Sequence, residues 1–231
     1  MRIGMDAATN DAVTIPINSR ILIAGASSYG KSWTLRPLLA TALLRGHCLM
    51  LLDGKGEEAH AWSSVCRTAV TEDQVASAID DLWSEMKERR QFMSRHGMLR
   101  WNGPLAVTAV DEGAEILSVV QADKGYLDRL VTLVAFGRSR GMPWWWATSN
   151  PRVGGSRPGL NPAMVPSMDH RFALHLRSSC HSLMLDTDSE VSPLDMAQTA
   201  RGHGYLADYA PNPVAVDSVD DMTVYGLKKF V

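Results

Sequence analysis

Eight consecutive residues, Gly25-Ala26-Ser27-Ser28-Tyr29-Gly30-Lys31-Ser32, fit G-x-x-x-x-G-K-S. The glycines let the backbone fold round a polyphosphate with its N–H groups pointing inward, and a helix beginning there adds its positive end. In such a loop the residues from Gly25 to Ser32 cradle a nucleotide. Lys31 reaches the β- and γ-phosphates, and the Ser32 hydroxyl ligands Mg²⁺. Tyr29 is out of character, a bulky ring in a loop usually built of small residues. A second pair, Asp111-Glu112, ends the apolar run Leu105-Ala106-Val107-Thr108-Ala109-Val110. Standing alone, two adjacent carboxylates are equally well explained as a helix N-cap. Downstream of a phosphate loop they take the form of a Walker B strand. Asp111 would then hold Mg²⁺ through its water shell, and Glu112 would polarise the water that attacks the γ-phosphate. Thr148 closes a third strand-like run, where a polar side chain can sense the γ-phosphate. The chemistry these residues describe is hydrolysis of ATP with Mg²⁺.

Such groups need a parallel sheet to present them. Ile21-Leu22-Ile23-Ala24 reads as a buried strand before the loop, and Leu35, Leu38, Leu39, Ala42 and Leu43 give the following segment helical spacing, with a stop at Gly46. Cys48 to Leu52 is a second buried strand ending in Asp53-Gly54-Lys55-Gly56. Polar residues at that end sit where α/β sheets bind ligands. Asp53 and Lys55 therefore line the nucleotide or a subunit edge, or else form an ordinary surface turn. The spacing predicts one long helix from Thr71 to Arg95, opened by the capping box Thr71-Glu72-Asp73-Gln74. Its basic cluster of Lys87, Arg89, Arg90 and Arg95, with Arg100 beyond, reads as a solvated face in preference to a contact with DNA or a neighbour.

Leu127 to Phe136 predicts another helix, followed by a turn carrying Arg138 and Arg140. Trp144-Trp145-Trp146 cannot share one face of a strand, so that strand is expected to be covered on both sides, as parallel strands are. Tryptophans gripping bases are the less favoured alternative. Arg152 to Pro162 reads as a mobile loop, Arg171 to Leu176 as a core strand, Asp186 to Asp195 as an acidic segment leading into a short helix, and Gly202 to Ala207 as a turn into the last strand. Residues 1–19 are expected to lie extended beside the first core strand, and residues 209–231 to form a tail. The expected architecture is α/β, a mostly parallel central sheet flanked by helices, in a single domain spanning 1–231.

Composition limits the alternatives. A chain of 231 residues with 45% hydrophobic content can bury one well-formed core and is too short for two ordinary domains. A net charge of −2 does not announce nucleic-acid binding, although a few basic loops would suffice to grip DNA. Cys48, Cys66 and Cys180 are an odd number without C-x-x-C spacing, which points away from a disulfide framework and towards a cytoplasmic setting. No stretch approaches the roughly 20 apolar residues of a membrane span, so association with a membrane would need a partner.

Together these residues resemble the motor domain of the FtsK/SpoIIIE DNA translocases, within the wider HerA-like ATPases, from about Gly4 to Ala207. Leu22 through Ser32 is similar to the family's strand and P-loop, and Asp53-Gly54-Lys55-Gly56-Glu57 to its D-P-K-G-x-E segment. Glu85-Met86-Lys87-Glu88-Arg89-Arg90 resembles the E-M-x-R-R helix that separates this family from generic P-loop proteins. Val110-Asp111-Glu112 is similar to Walker B, Gly137-Arg138-Ser139-Arg140-Gly141 to the G-R-A-x-G turn, Ala147-Thr148 to the start of A-T-Q-R-P, and His170-Arg171-Phe172-Ala173 to T-R-I-A-F. Two departures stand out. Ser149 replaces the glutamine after Thr148, and the arginine of the later D-S-R segment has no clear counterpart near His181-Ser182-Leu183.

The resemblance implies a RecA-like P-loop NTPase that assembles as a homo-oligomeric ring, expected to be a hexamer, and pumps double-stranded DNA through its centre at the expense of ATP. It further implies an arginine supplied across the subunit interface, Arg138 first and Arg171 second. Two channel-facing loops would correspond to Gln121–Tyr126 and Arg152–Gly159, with Lys124, Arg152 and Arg157 touching phosphates. Ordinary surface loops are the less favoured alternative for those segments. With no room in these 231 residues for a membrane region or winged-helix module, the expectation is a compact motor resembling those of plasmids, conjugative elements or phages. Competing readings are a HerA-like or packaging ATPase working with a nuclease or portal partner, and an ATP-gated module that does not hydrolyse.

Overall fold

A computed structural model describes residues 1–176, 181–185, 189–209 and 211–230. Cys180 and residues 186–188 of the acidic segment lie outside them. The strands are β1 (Arg2–Asp6), β2 (Ala12–Thr14), β3 (Ile21–Ala24), β4 (Cys48–Asp53), β5 (Arg67–Ala69), β6 (Ala106–Asp111), β7 (Trp144–Thr148), β8 (His170–Ala173), β9 (His203–Leu206) and β10 (Val214–Val216). The helices are α1 (Lys31–Leu44), α2 (Glu57–Trp62), α3 (Glu72–Arg95), α4 (Gly113–Val120), α5 (Lys124–Phe136), α6 (His181–Met184), α7 (Pro193–Gln198) and α8 (Asp221–Gly226).

Six parallel strands, ordered β5-β4-β6-β7-β3-β8, form the centre of the sheet. The antiparallel strands β9, β10, β1 and β2 extend it past β8. Both faces are covered. Trp145 packs with Leu35, Leu38 and Leu39 of α1, whereas Trp144 and Trp146 pack with the apolar side chains of α3, α4 and α5. All three indoles are fully buried, which removes them from any role in gripping bases. Each contributes about 5 kcal/mol of transfer free energy as an upper estimate. α3 opens with the expected Thr71–Gln74 capping box, and α1 stops at Gly46, which takes the left-handed φ of 75° that its termination requires.

Several sequence expectations need correction. Residues 1–19 do not lie beside β3. Their alternation of buried Ile3, Val13 and Ile15 builds the β1–β2 hairpin, and β1 pairs with β10 instead. The expected tail is built into the fold over its described residues 211–230: β10 enters the sheet, so β9 is not the last strand, and α8 is tied down by Arg36. The Arg36 guanidinium bonds both carboxylate oxygens of Glu58 in α2, at 2.8 and 2.9 Å, and Asp221 of α8 at 2.7 Å. Arg89 is not part of a solvated face. It is buried, bonded to Glu85 at 2.7 Å and to the Pro104, Arg140 and Gly141 carbonyls, with Trp101 stacked on its guanidinium. Among the described residues no helix is long and apolar enough to cross a membrane.

Candidate active site

β3 delivers the phosphate loop, because its apolar residues are clamped between β7 and β8 and the chain must turn sharply before α1. Ala26 donates its N–H to the His175 carbonyl at 2.8 Å, which anchors the loop to the segment after β8. Tyr29 is explained there: its ring stacks on His175 with centroids 4.1 Å apart. The loop opens onto a cavity of about 580 Å³, lined by Ser27 to Trp33, Lys55, Glu57, Glu58, Asp111 and Glu112 on one side and by Arg201, Gly202, Val216 and Ser218 on the other. The second wall comes from β9, β10 and their flanks, which the sequence offered no motif to identify.

Lys31 is only 7% exposed and points into this space. Burial pulls its ammonium below the usual lysine range, while the charges of Glu112 and Asp111 oppose that shift. Ser32 donates its hydroxyl to Asp111 Oδ2 at 2.8 Å. Burial pushes the Asp111 carboxyl up to about 6, against the hydrogen bond from Ser32. A buried carboxylate beside a hydroxyl is the hard-oxygen pair that Mg²⁺ uses when phosphates and water complete its shell. Among the described residues no cluster of His, Cys, Asp or Glu could cage a metal by itself. Ser32 and Asp111 therefore fit a Mg²⁺ ion that arrives with the nucleotide.

Glu112 adopts a left-handed φ of 62°, a conformation that costs a non-glycine residue on the order of 1 kcal/mol. Two features accompany it. Gly113 lies directly against the Trp146 indole, which occupies the space a Cβ would need. The carboxylate is gripped on both oxygens: Oε1 accepts from the Ser149 N–H at 3.0 Å and hydroxyl at 2.8 Å, and Oε2 accepts from Lys55 Nζ at 2.8 Å. Burial alone would raise this acid, but the bonds from Lys55 and Ser149 outweigh it and hold Glu112 below the usual carboxylate range. Lys55 is lifted above the usual lysine range by the same pair despite its own desolvation. Asp53 stays out of the cavity wall; it accepts from the N–H groups of Lys55 at 3.0 Å and Ala59 at 2.8 Å and so shapes the turn that presents Lys55.

Thr148 does not reach the cavity. It is fully buried beneath Gly159, and its hydroxyl accepts from the Asn150 N–H at 3.2 Å, because the chain folds back over it at Gly159. Ser149, one residue on, is the polar side chain that meets the Glu112 carboxylate. Arg138 and Arg171 are also apart from this chain's own phosphate loop. Arg138 bonds Asp169, which precedes β8 and is held by Arg20 at 2.8 to 3.1 Å. That places it at the amino ends of strands whose carboxyl ends carry the site, about 13 Å of strand away. Arg171 donates to the Leu183 carbonyl at 3.2 Å and is partly buried within β8.

The two DNA segments also change form. Lys124, Gly125 and Tyr126 are the first turn of α5, with Asp123 accepting from the Gly125 N–H at 2.6 Å, so only 121–123 is a turn and Gly125 is no hinge. The 152–160 segment closes on itself through the Gly159 and Leu160 N–H groups, which both donate to the Arg152 carbonyl. Arg157 donates to both oxygens of Glu115 at 2.7 and 2.6 Å. It thus rests on the first turn of α4, whereas Lys124 follows the last, about 12 Å along that helix.

Known proteins resemble this chain both in sequence and in fold. The FtsK/SpoIIIE family profile matches residues 3–213. Protein Tra of Streptomyces lividans is 30% identical over 197 residues, 78% of this chain, and the chain spans 32% of the length of Tra. The pCW3 conjugation coupling protein TcpA, solved as a monomer with ATPγS, superposes with a TM-score of 0.83 at 17% identity, covering 100% of this chain and 69% of TcpA. The cytoplasmic domain of the Thermomonospora curvata type VII secretion ATPase EccC gives 0.73 at 18% identity, with 98% of this chain and 30% of EccC covered. A profile matched over nearly the whole chain, on a parallel sheet that brings Lys31, Ser32, Asp111 and Glu112 to one cavity, leaves one assignment: the chain belongs to the FtsK/SpoIIIE family.

Proposed function

We propose that the chain is an ATP-dependent double-stranded DNA translocase, a ring-forming and hexameric motor that couples ATP hydrolysis to DNA movement. The observation that carries the ATPase part is the convergence of Lys31, Ser32, Asp111 and Glu112 on one cavity whose buried acid lacks a full counter-charge. Lys31 and the loop N–H groups bind and orient the polyphosphate, and Ser32 and Asp111 hold the metal. Mg²⁺, when bound, supplies charge neutralisation at the phosphates. Glu112 orients a water and takes its proton on a carboxylate oxygen, while Ser149 keeps that carboxylate aimed.

Work on DNA is supported by family membership and by the description of TcpA as a conjugation coupling protein. In the ring, Arg138 serves the nucleotide of the neighbouring subunit, a role favoured over Arg171 by its exposure and its distance from its own phosphate loop. Lys124, Arg152 and Arg157 make the phosphate contacts in the channel. The deciding experiment measures the ATPase rate of the chain with and without duplex DNA, beside the mass of the ATP-bound assembly. DNA-stimulated turnover by a hexamer is the expected result; hydrolysis by a monomer indifferent to DNA would refute the motor.

A further inference from the structure

The Glu112 carboxylate is held asymmetrically. Oε1 carries both bonds from Ser149, a residue fixed by β7, and Oε2 carries the bond from Lys55 alone. A carboxylate that must accept a proton from water needs a free oxygen, and Oε2 is capped. The two partners of that cap are unequal: the Glu112 side chain is 4% exposed and the Lys55 side chain 41%. The four-carbon stem of a lysine can swing on a single turn, whereas Glu112 is fixed by Ser149 and by the Trp146 indole against Gly113. Lys55 lines the same cavity as the phosphate loop and lies close enough to Lys31 and Asp111 for their charges to be felt.

We propose that Lys55 is a second phosphate-binding lysine, specific for the γ-phosphate, whose ammonium leaves Glu112 Oε2 for the phosphate oxygens when a nucleoside triphosphate binds. The inference rests on the ATPase reading above and deepens it. A terminal phosphate concentrates more negative charge than one carboxylate, so it outcompetes Glu112 for the cation. A diphosphate ends one group short and leaves the cap in place. Departure of Lys55 frees Oε2 while Ser149 holds Oε1, so the general base is uncovered only when there is a γ-phosphate to attack. The turn that presents Lys55 is built for this position: Gly54 donates its N–H to the Asp111 carbonyl at 3.0 Å, and Asp53 fixes the Lys55 N–H.

The test is equilibrium binding of ADP and ATPγS with Mg²⁺ to the full chain, to Lys55→Met and to Lys55→Arg. Lys55→Met should weaken ATPγS by about tenfold or more, the value of a lost charge-assisted hydrogen bond, and leave ADP within about twofold by the same reckoning. Lys55→Arg keeps the cation and should recover most of the preference for the triphosphate. The same substitution in a Glu112→Gln background separates direct binding from simple neutralisation of Glu112. If Lys55 touches the γ-phosphate, the loss persists there; if it only neutralises the acid, the loss disappears and the proposal is overturned. Equal weakening of both nucleotides would also overturn it, by assigning Lys55 to the shape of the turn. A parent chain that bound neither nucleotide would refute the ATPase reading itself, and this inference with it.

Discussion

At the carboxyl ends of β3 and β6, Asp111 lies buried with a serine hydroxyl as its hydrogen-bond donor, and its carboxyl is pushed up to about 6. At the amino ends of β3 and β8, Asp169 is a partly buried acid, and Arg20 and Arg138 surround it. There the burial penalty is outweighed by the Arg20 hydrogen bonds and the two guanidinium charges, and the carboxyl falls below its ordinary value. One acid is left short of a counter-charge and the other is fully matched. An under-compensated buried charge can be completed by a ligand, whereas a matched one holds strand ends together.

The sharpest way to break this contrast is at the carboxyl ends. Glu112→Gln should retain ATP binding and lower turnover by up to about 10⁴-fold, the upper range for removal of a general base, whereas Lys31→Ala should weaken binding itself. Turnover by Glu112→Gln at the parental rate would remove the distinction between the two edges. Next in size is Arg138, whose supply in trans would be worth about 10³-fold. Arg138→Ala should be nearly inactive, and mixing it with Glu112→Gln chains should restore part of the activity at mixed interfaces. No restoration at any mixing ratio would leave Arg138 as a structural partner of Asp169 alone.

The acids should also titrate with opposite signs in metal-free chain. Asp111 binds its proton more tightly folded than unfolded, so its contribution to stability falls as pH rises from 3.8 to about 6. Asp111→Asn should therefore stabilise the chelator-treated chain at neutral pH, by about 3 kcal/mol at most for a shift of roughly two pH units, and the gain should vanish below pH 3.8. Asp169 has a lowered folded pKa, so its contribution is present above the ordinary 3.8 and is lost as pH falls beneath it. Asp169→Asn should cost stability at neutral pH and cost progressively less in acid. Chemical denaturation across that range checks both, and parallel slopes would contradict the comparison. The smallest effect is expected from Lys124, Arg152 and Arg157 changed together to Ala. Duplex binding should weaken and its salt dependence flatten by up to about 0.9 log units per lost phosphate contact, with basal ATPase retained. An unchanged salt slope would move the DNA path elsewhere.

Legibility followed locality. The phosphate loop, the β3 and β6 runs and the α3 capping box could be read because each is encoded within a few neighbouring residues. The covered tryptophan strand could be read because alternation alone forbids three successive side chains on one face. Arg89 was misread because its helix context is that of an exposed basic run, and its burial comes from distant partners: Trp101, the Pro104 carbonyl and the carbonyls of the 138–141 turn. Thr148 was misread because the burial of its hydroxyl depends on Gly159 folding back from a separate segment.

By itself the sequence determined the strand, loop and helix of the G-x-x-x-x-G-K-S segment, together with the Asp111-Glu112 pair, since backbone geometry and hydrophobic period are local properties. Tertiary structure decided which charges meet. Lys55 lies 57 residues from Glu112, and Arg138 lies 31 from Asp169. The hairpin at the start of the chain pairs with a strand from its end, Gly4 opposite Val216. A charged side chain carries no record of its partner in the residues beside it. Its partner, and with it the sign of its pKa shift, is fixed only when the sheet brings distant strands within a few ångströms and excludes the water that would otherwise screen them.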